Sequence, residues 1–287
     1  MIQAALLPDG RRLHLQHGPI DLIIEAFGAA DEVAAAYRQA TDAFQHVLAS
    51  LVGELATLRS PLPVGEVSGP VAKRMVAACS PYRAEFITPM AAVAGAVADH
   101  MLARMLAGRR LERAYVNDGG DIAFHLAPGQ KLTCGVVADL AAPALDGTIA
   151  LTHDMPVRGI ATSGRAAKGR GGRSFSFGIA DAVTVLSRDA AAADAAATIV
   201  ANAVDLPGHP AIRRGPARDI DPDSDLGDRL VTLSVGELTA GEVRAALEAG
   251  VARASALRHA GLIHGAVLVL QRRFATVGAD LPRLAAA

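Results

Sequence analysis

The chain has 287 residues, of which 51% are hydrophobic, 20% are charged and 3% are aromatic, and its formal net charge is -1. This length exceeds one small domain, and the balanced charge excludes a global attraction to nucleic acid or to an anionic membrane. The only two cysteines, Cys79 and Cys134, exclude a disulfide framework and favour a reducing compartment.

The N-terminal segment, MIQAALLPDGRR, has no basic region before its apolar residues, so a signal peptide is not expected. The apolar stretches are shorter than the roughly 18 residues that a membrane span requires. We therefore expect a soluble cytoplasmic protein whose partners are small molecules or proteins, with no nucleic acid and no membrane. Assembly into a homo-oligomer is left open.

The residue pattern in the first part of the chain predicts a hairpin followed by long helices. Residues 12–27 alternate around a Gly-Pro turn, which is typical of two short strands. Apolar side chains recur with helical spacing from Asp31 to Arg59. The segment ITPMAAVAGAVADHMLARMLAG predicts another helix, with Thr88 as N-cap and Pro89 at the first helical position.

The remaining chain predicts strands that surround an alanine-rich helix. RAYVNDGGDIAFHLAPGQKLTCGVVA predicts an antiparallel meander, and TIALTHDMPVRGIATSG and SFSFGIADAVTVLS predict further strands. SRDAAAADAAATIVANAV predicts a helix capped by Asp189. Residues 205–229 read as a loop or insertion, and LVTLSVG as a strand. Thr239 and Glu242 predict a capping box before a helix, and LIHGAVLVLQ predicts a last buried strand.

Antiparallel strands separated by long helices favour the α+β class over a doubly wound sheet. No composition shift divides the chain convincingly. We therefore predict a single domain over residues 1–276, followed by a tail over residues 277–287.

Two polar side chains stand out in the alanine-rich helix. Asp194 and Thr198 are four residues apart, so they share one face of the helix, where a carboxylate and a hydroxyl can converge on a hard cation. The alternative is a solvated Asp194 near a helix start and a Thr198 hydroxyl bonded to a backbone carbonyl.

The segment VNDGGDI combines two glycines with an acid at the end of a strand. Gly119 and Gly120 allow backbone to approach a ligand closely, while Asp121 can point at it. A tight hairpin turn, in which Asp118 and Asp121 serve turn chemistry, is the alternative.

The segment GIATSG offers the hydroxyl groups of Thr162 and Ser163 between glycines, a composition that suits phosphate or ribose oxygens. The loop RAAKGRGGRS follows, where Arg165 and Arg173 are among the cations able to close over a pyrophosphate. The alternative for GIATSG is that its hydroxyl groups only reflect the polarity of a turn. The alternative for RAAKGRGGRS is an ordinary solvated loop. The loop lacks the Walker pattern, so a P-loop is excluded.

The ordered set ITPMAAVAGAVAD, VNDGGDI, GIATSG, ADAVTVLS and ADAAAT resembles the ApbE superfamily. Its best-known members are magnesium-dependent flavin transferases that split FAD and attach FMN to a protein Ser or Thr. Together with HGPIDLIIEAFG and GLIHGAVLVLQ, these segments are similar to one branch, uncharacterised protein family 0280, over about residues 10–272. The resemblance implies a T-fold-like, ApbE-like architecture of antiparallel sheets packed with long helices.

The resemblance also implies roles for individual residues. Asp194 and Thr198 match the pair that holds Mg²⁺ in the transferases, and Asp181 and Asp121 are the candidate bases. The implied cofactor-binding residues are Thr88, Pro89, Met90, Gly119, Gly120, Asp121, Thr162, Ser163, Arg165 and Arg173.

This chain also departs from the transferases. Ala94-Gly95 stands where they carry a Lys-Gly pair, and SFSFGIADAV replaces a His-containing segment, leaving Asp181 without a histidine. The resemblance therefore implies a protein that binds FAD or FMN with Mg²⁺, with FMN transfer to an unknown acceptor protein or cleavage of the FAD pyrophosphate as its chemistry. The alternatives are a non-catalytic cofactor-binding module and a pterin- or purine-binding T-fold protein.

Overall fold

The computed structural model describes residues 2–136, 147–164 and 175–278, and its long helices and antiparallel strands confirm the α+β class. The T-fold label stays a prediction. The helices are α1 (Ala30–Gly53), α2 (Leu55–Leu58), α3 (Pro70–Cys79), α4 (Val93–Leu106), α5 (Ala190–Ala203) and α6 (Ala240–His259). The strands are β1 (Gln3–Leu6), β2 (Leu13–His17), β3 (Ile20–Gly28), β4 (Leu111–Asp118), β5 (Asp121–Leu126), β6 (Lys131–Val136), β7 (Gly147–Thr152), β8 (Gly159–Ser163), β9 (Ala182–Ser187), β10 (Ile212–Pro216), β11 (Leu230–Val235), β12 (Gly265–Leu270) and β13 (Arg273–Val277). In these described segments, no helix combines the length and the apolar character needed to cross a membrane.

The chain forms two compact units. Unit 1 comprises Met1–Leu132, Ala150–Ala161 and Ser187–Ala195. Its strands are neighbours in the order β1, β2, β3, β4, β5 and β8, with antiparallel pairing. Helix α1 packs on β3, and α4 packs on β4 and β5. The inward row of β3, including Leu22 and Ile24, is fully buried and forms part of this core.

Unit 2 comprises Thr133–Ile149, Thr162–Leu186 and Ala196–Ala287. Strand β12 pairs antiparallel with β9 and with β13, and all six of its residues are buried, as the apolar run LIHGAVLVLQ predicts. Helix α6 packs on β12 and β13, and β10 pairs with β11 in a separate ribbon. The single domain over residues 1–276 stays a prediction.

The first long helix is shorter than the pattern over residues 31–59 predicts. Helix α1 ends at Gly53, because Glu54 leaves the helical conformation with φ −115° and ψ 10°. The Glu54 carboxylate accepts the backbone N–H groups of Ser68 and Gly69, at 2.5 and 3.0 Å. Gly69 directly precedes α3, so these bonds support the start of a helix that the sequence pattern does not predict.

Other boundaries also differ from the predicted ones. The helix expected from Thr88 begins with a 3-10 turn over Pro89–Ala92, and the Thr88 side chain does not cap it. Residues 205–229, expected as a loop or insertion, contain strand β10, because the chain pairs there with β11. Strands β1 and β13 are present in the structure but are not predicted from the sequence. Most of the expected tail, residues 279–287, lies outside the described residues.

Helix α5 is rich in alanine because neighbouring backbone approaches it closely. Apart from Asp194 and Thr198, every residue from 190 to 200 is buried. A Cβ atom on Gly95 of α4 would lie 2.3 Å from the Ala190 carbonyl oxygen, and one on Gly159 of β8 would lie 2.1 Å from the Ala190 nitrogen. Glycine on the facing elements and small side chains on α5 are thus both required by the packing.

The predicted capping box of α6 is confirmed. The Thr239 hydroxyl accepts the Glu242 backbone N–H at 3.3 Å, and the Glu242 carboxylate accepts the Thr239 backbone N–H at 2.7 Å. We expect Thr239→Ala to lower the free energy of unfolding by about 1 kcal/mol, because it leaves helix N–H groups without an acceptor. Urea denaturation measures this loss, and Thr239→Ser, which keeps the hydroxyl, is the control. An alanine variant as stable as the serine variant would contradict the role of the cap.

Candidate functional site

Strands β4 and β5 are joined by a two-residue turn. Gly119 and Gly120 have φ of 63° and 111°, a pair of values that suits glycine in a tight hairpin. The Gly120 backbone N–H donates to Asn117 Oδ1 at 2.8 Å. A Cβ atom on either glycine would meet nothing within 4 Å. The glycines therefore serve the turn and leave its backbone open to a ligand.

Asp118 and Asp121 flank this turn and face the interior. They are directly paired across the two strands and are only 9% and 8% exposed. Because side chains alternate along a strand, Asp118 continues the buried row of Ala114 and Val116. Two carboxyl groups thus occupy positions that an apolar pair would fill in an ordinary core, and like charges at such positions destabilise a sheet.

The Asp194 side chain extends from α5 to the carboxyl group of Asp121. Its Oδ2 accepts the Gly95 backbone N–H at 3.1 Å, and its carboxyl group is hydrogen-bonded to that of Asp121. Two carboxyl groups therefore lie side by side in this arrangement, where the negative charge of one disfavours the negative charge of the other. Asp118, Asp121 and Asp194 are called the acidic cluster below.

Burial and mutual repulsion shift the titration of the acidic cluster. Burial, followed by the charge of Asp121, raises the pKa of Asp118 from its ordinary 3.8 to about 8, although a hydrogen bond from the Asp21 backbone opposes this shift. The residue Asp194 keeps some exposed surface, but protein atoms surround its carboxyl group, and this loss of water together with the Asp121 charge raises its pKa. Asp118 and Asp194 therefore hold protons more tightly than ordinary carboxyl groups, and a bound cation would favour their release.

Asp194 and Thr198 lie one helical turn apart on α5. Between residues 190 and 200 they are the two that keep intermediate exposure, so one narrow face of the helix is partly open there. Within the three described segments, no group of three or more His, Cys, Asp and Glu side chains is arranged to hold a metal ion. The assignment of Asp194 and Thr198 as Mg²⁺ ligands stays a prediction.

Thr162 and Ser163 end strand β8 and are both half-buried. Thr162 Oγ1 lies 2.9 Å from Thr184 Oγ1 on β9, so two hydroxyl groups meet at this point. Thr184 is not among the residues predicted from the sequence. Its signal is a polar side chain between the apolar residues Val183 and Val185 of β9.

The three predicted ligand residues before α4 differ in their exposure. Thr88 and Pro89 are buried, whereas Met90 is half-buried. The Cys79 thiol lies 3.5 Å from the Thr88 carbonyl oxygen, and burial raises the pKa of that thiol. Met90 therefore offers the most side-chain surface of the three, and their role in ligand binding stays a prediction.

Asp181 supports a turn in unit 2. Its Oδ2 accepts the Gln271 backbone N–H at 2.6 Å. Gln271 and Arg272 join β12 to β13 with φ of 44° and 62°, a conformation uncommon for residues other than glycine. The Gln271 side chain also donates to the Gly236 carbonyl at 2.8 Å. Stabilising this turn is thus one function of the Asp181 carboxylate, and its role as a base stays a prediction.

The remaining predictions from the sequence concern Arg165, Arg173 and Asp118. Arg165 and Arg173 lie outside the described residues. Asp118 is expected from the sequence to serve turn chemistry alone, but in the structure it also belongs to the acidic cluster. The alternation of Ala114, Val116 and Asp118 along β4 is the signal that could have identified it.

Comparison with protein families and curated proteins gives consistent matches. A family model described as AbpE bacteria matches residues 4–278. A UPF0280 protein of Methanothermobacter thermautotrophicus is 37% identical over 155 residues, which cover 54% of this chain and 56% of that protein. A UPF0280 protein of Archaeoglobus fulgidus is 36% identical over 146 residues, which cover 50% and 54%. The chain spans about half the length of these curated relatives.

Two solved structures resemble this chain over nearly its whole length. A variant of the flavin transferase ApbE from Vibrio cholerae aligns with a TM-score of 0.48 and 12% identity, covering 98% of this chain and 97% of that one. The apo form of the flavinyl transferase ApbE from Pseudomonas stutzeri aligns with a TM-score of 0.43 and 12% identity, covering 96% and 94%.

Proposed function

The chain belongs to the AbpE bacteria family, and from this premise we propose that it binds a flavin nucleotide, FAD or FMN, together with Mg²⁺ at the acidic cluster. The convergence of Asp194 on the buried carboxyl groups at the β4–β5 turn is the observation that carries this proposal. The flavin itself is supported by the ordered motifs that this chain shares with the ApbE superfamily.

The chemistry of the acidic cluster suits a hard divalent cation. Mg²⁺ prefers oxygen ligands and is commonly held by one or two carboxylates together with substrate phosphates. Asp194 would supply a carboxylate, and Thr198 a hydroxyl on the same helix face as Asp194. When bound, Mg²⁺ would neutralise the charge of the nucleotide phosphates. It would also offset the burial and the repulsion from Asp121 that raise the pKa of the Asp194 carboxyl group.

The other residues of the proposal bind or orient the nucleotide. The open backbone at Gly119 and Gly120 allows close approach to the ligand. Asp121 is the candidate proton acceptor in either reaction: attack by water breaks the pyrophosphate and yields FMN and AMP, and attack by a Ser or Thr hydroxyl yields AMP and an FMN-protein ester.

Binding without chemistry is the second candidate function. Two observations favour it: Ala94 stands where the transferases carry lysine, and the Asp181 carboxylate is bound to the Gln271 backbone. Incubation of the protein with FAD and Mg²⁺ separates the candidates, because chromatographic detection of AMP requires cleavage, whereas a binding module releases only intact FAD.

Asp194→Asn tests the site itself. Asparagine keeps the shape of the side chain, can accept the Gly95 N–H and can donate to Asp121, so the fold should be preserved. Its missing charge should weaken Mg²⁺-dependent FAD binding at least tenfold, about 1.4 kcal/mol. Isothermal titration of FAD with Mg²⁺, and with EDTA in its place, measures the effect. Thr198→Val should cause a smaller loss that is not additive with it.

Asp189→Asn is the matched control for this experiment. It removes the same charge from the first turn of the same helix, but Asp189 lies outside the acidic cluster and its side chain is 37% exposed. We expect binding within about twofold of the wild type, since asparagine is an equally good N-cap. Equal FAD affinity in the wild type, Asp194→Asn and Asp189→Asn would overturn the proposed metal site.

A further inference from the structure

The start of α5 is held by a carboxylate that comes from α4. Asp99 Oδ1 accepts the Ala190 backbone N–H at 3.0 Å, and Asp99 Oδ2 accepts the Ala191 backbone N–H at 2.8 Å. Asp99 is buried, with 9% of its surface exposed. The side chain of the local N-cap, Asp189, accepts the next helix donor along, the Ala192 N–H at 2.7 Å. Two acids thus divide the free N–H groups of one helix terminus.

The reverse contact joins the start of α4 to α5. Gly95 is the third residue of α4, so its N–H has no acceptor within its own helix. Asp194 supplies that acceptor, at 3.1 Å. Each helix therefore caps the other: Asp99 of α4 binds the first turn of α5, and Asp194 of α5 binds the first turn of α4.

We propose that Asp99 is a positioning residue for the acidic cluster. By fixing the first turn of α5 against α4, it sets the position of Asp194 relative to both Gly95 and Asp121. The consequence for ligand binding rests on the proposed function, whereas the consequence for the geometry of α4 and α5 does not.

The composition of α5 explains why such a residue is needed. The buried side chains in the first turns of α5 are all alanine. This surface therefore has no large side chains that interdigitate with neighbouring elements and prevent the helix from sliding along its axis. Directional hydrogen bonds must then supply the register. A displacement of about 1 Å is enough to spoil a functional arrangement. The Asp194 carboxyl group, which bonds to two partners on two different elements, would be sensitive to it.

The burial of Asp99 supports the same conclusion. An exposed Ser, Thr or Asp suffices to cap a helix, and Asp189 already does so for α5. A buried carboxylate loses its hydration, and this desolvation costs more free energy than capping by an exposed side chain. Its distinguishing property is that it lies on α4 and so connects the two helices that hold the cluster.

The experiment measures the exchange of the Gly95 amide hydrogen by NMR in the ligand-free full chain. Asp99→Asn removes one of the two acceptors, because an amide nitrogen cannot accept a hydrogen bond. We expect Gly95 to exchange at least tenfold faster in Asp99→Asn than in the wild type. Asp189→Asn, which removes the same charge from the same helix terminus but retains a cap, should change this rate less than threefold. Asp99→Ser, which keeps one small acceptor, replaces Asp99→Asn if that variant does not fold.

Mg²⁺-dependent FAD affinity is the second readout. We expect at least a tenfold loss in Asp99→Asn and less than a twofold loss in Asp189→Asn. Equal Gly95 exchange in the two variants would overturn the positioning role, as would unchanged FAD affinity in Asp99→Asn beside a wild type that binds. A wild type that binds no FAD would overturn the proposed function alone, because the exchange measurement requires no ligand.

Discussion

Gly95→Ala is expected to destabilise the protein by about 3 kcal/mol or more. The added Cβ atom would lie 2.3 Å from the Ala190 carbonyl oxygen and 2.8 Å from the Ala191 nitrogen. Both atoms belong to backbone, so no side-chain rotation can relieve the overlap, and α4 and α5 must move apart. Chemical denaturation measures the loss, and the same movement should weaken the hydrogen bond from Gly95 to Asp194.

The sign of this effect distinguishes packing from helix propensity. In an exposed helix, alanine is favoured over glycine by about 1 kcal/mol. Gly241→Ala in the first turn of α6 is the matched control, because a Cβ atom there would meet nothing within 4 Å. We expect Gly241→Ala to be neutral or stabilising. If Gly95→Ala were equally harmless, the close approach of α4 and α5 would be wrong.

Sequence patterns predicted the elements whose ends are determined locally. The α6 capping box is formed by Thr239 and Glu242, three residues apart, and it was found from the sequence alone. Helix α3 was missed because it begins after glycine, and the acceptor for the Gly69 N–H is Glu54, which is 15 residues away. The fold of this region depends on a tertiary contact that periodicity cannot reveal.

The same limit applies to the candidate site. The spacing of Asp194 and Thr198 predicted a shared helix face, which their common partial exposure supports. The partners of Asp194 could not be predicted, because Gly95 lies 99 residues away and the carboxyl pair with Asp121 depends on how α5 meets the β4–β5 turn. Asp118 had a readable signal in the inward row of β4, but turn chemistry explained it equally well.

The ligand-free protein is expected to lose stability as the pH rises from about 5 to 9. The pKa of Asp118 is raised to about 8 in the folded state, and burial raises the pKa of Asp99 to about 6, whereas both would be near 3.8 in the unfolded chain. A raised folded-state pKa means that the folded state binds more protons than the unfolded chain. The stabilisation from this proton binding is complete below about pH 4, and it is lost as the pH rises through the folded-state pKa. Calorimetry in EDTA should show a melting temperature lower at pH 9 than at pH 5 by about 5 °C or more.

Asp118→Asn should remove much of this pH dependence. Asparagine retains the volume and can still accept the hydrogen bond from the Asp21 backbone, but it has no charge to repel Asp121. We therefore expect a higher melting temperature than the wild type at pH 8.5 and little difference at pH 5. Asp42→Asn, which neutralises an exposed acid on α1, is the control and should leave the profile unchanged. An unchanged pH profile in Asp118→Asn would exclude Asp118 as its source.

The Asp118 charge that destabilises the free protein at high pH belongs to the acidic cluster, where Mg²⁺ is proposed to bind, so a ligand should restore the stability that high pH removes. Addition of FAD and Mg²⁺ should raise the melting temperature of the wild type more at pH 8.5 than at pH 5.5, because protons compete with the cation at low pH. Asp121→Asn should lose most of this ligand-dependent rise. A buried arrangement of mutually repelling carboxyl groups costs stability, and a ligand that neutralises them would offset this cost. An equal rise at both pH values, or in Asp121→Asn, would mean that the nucleotide binds away from the acidic cluster.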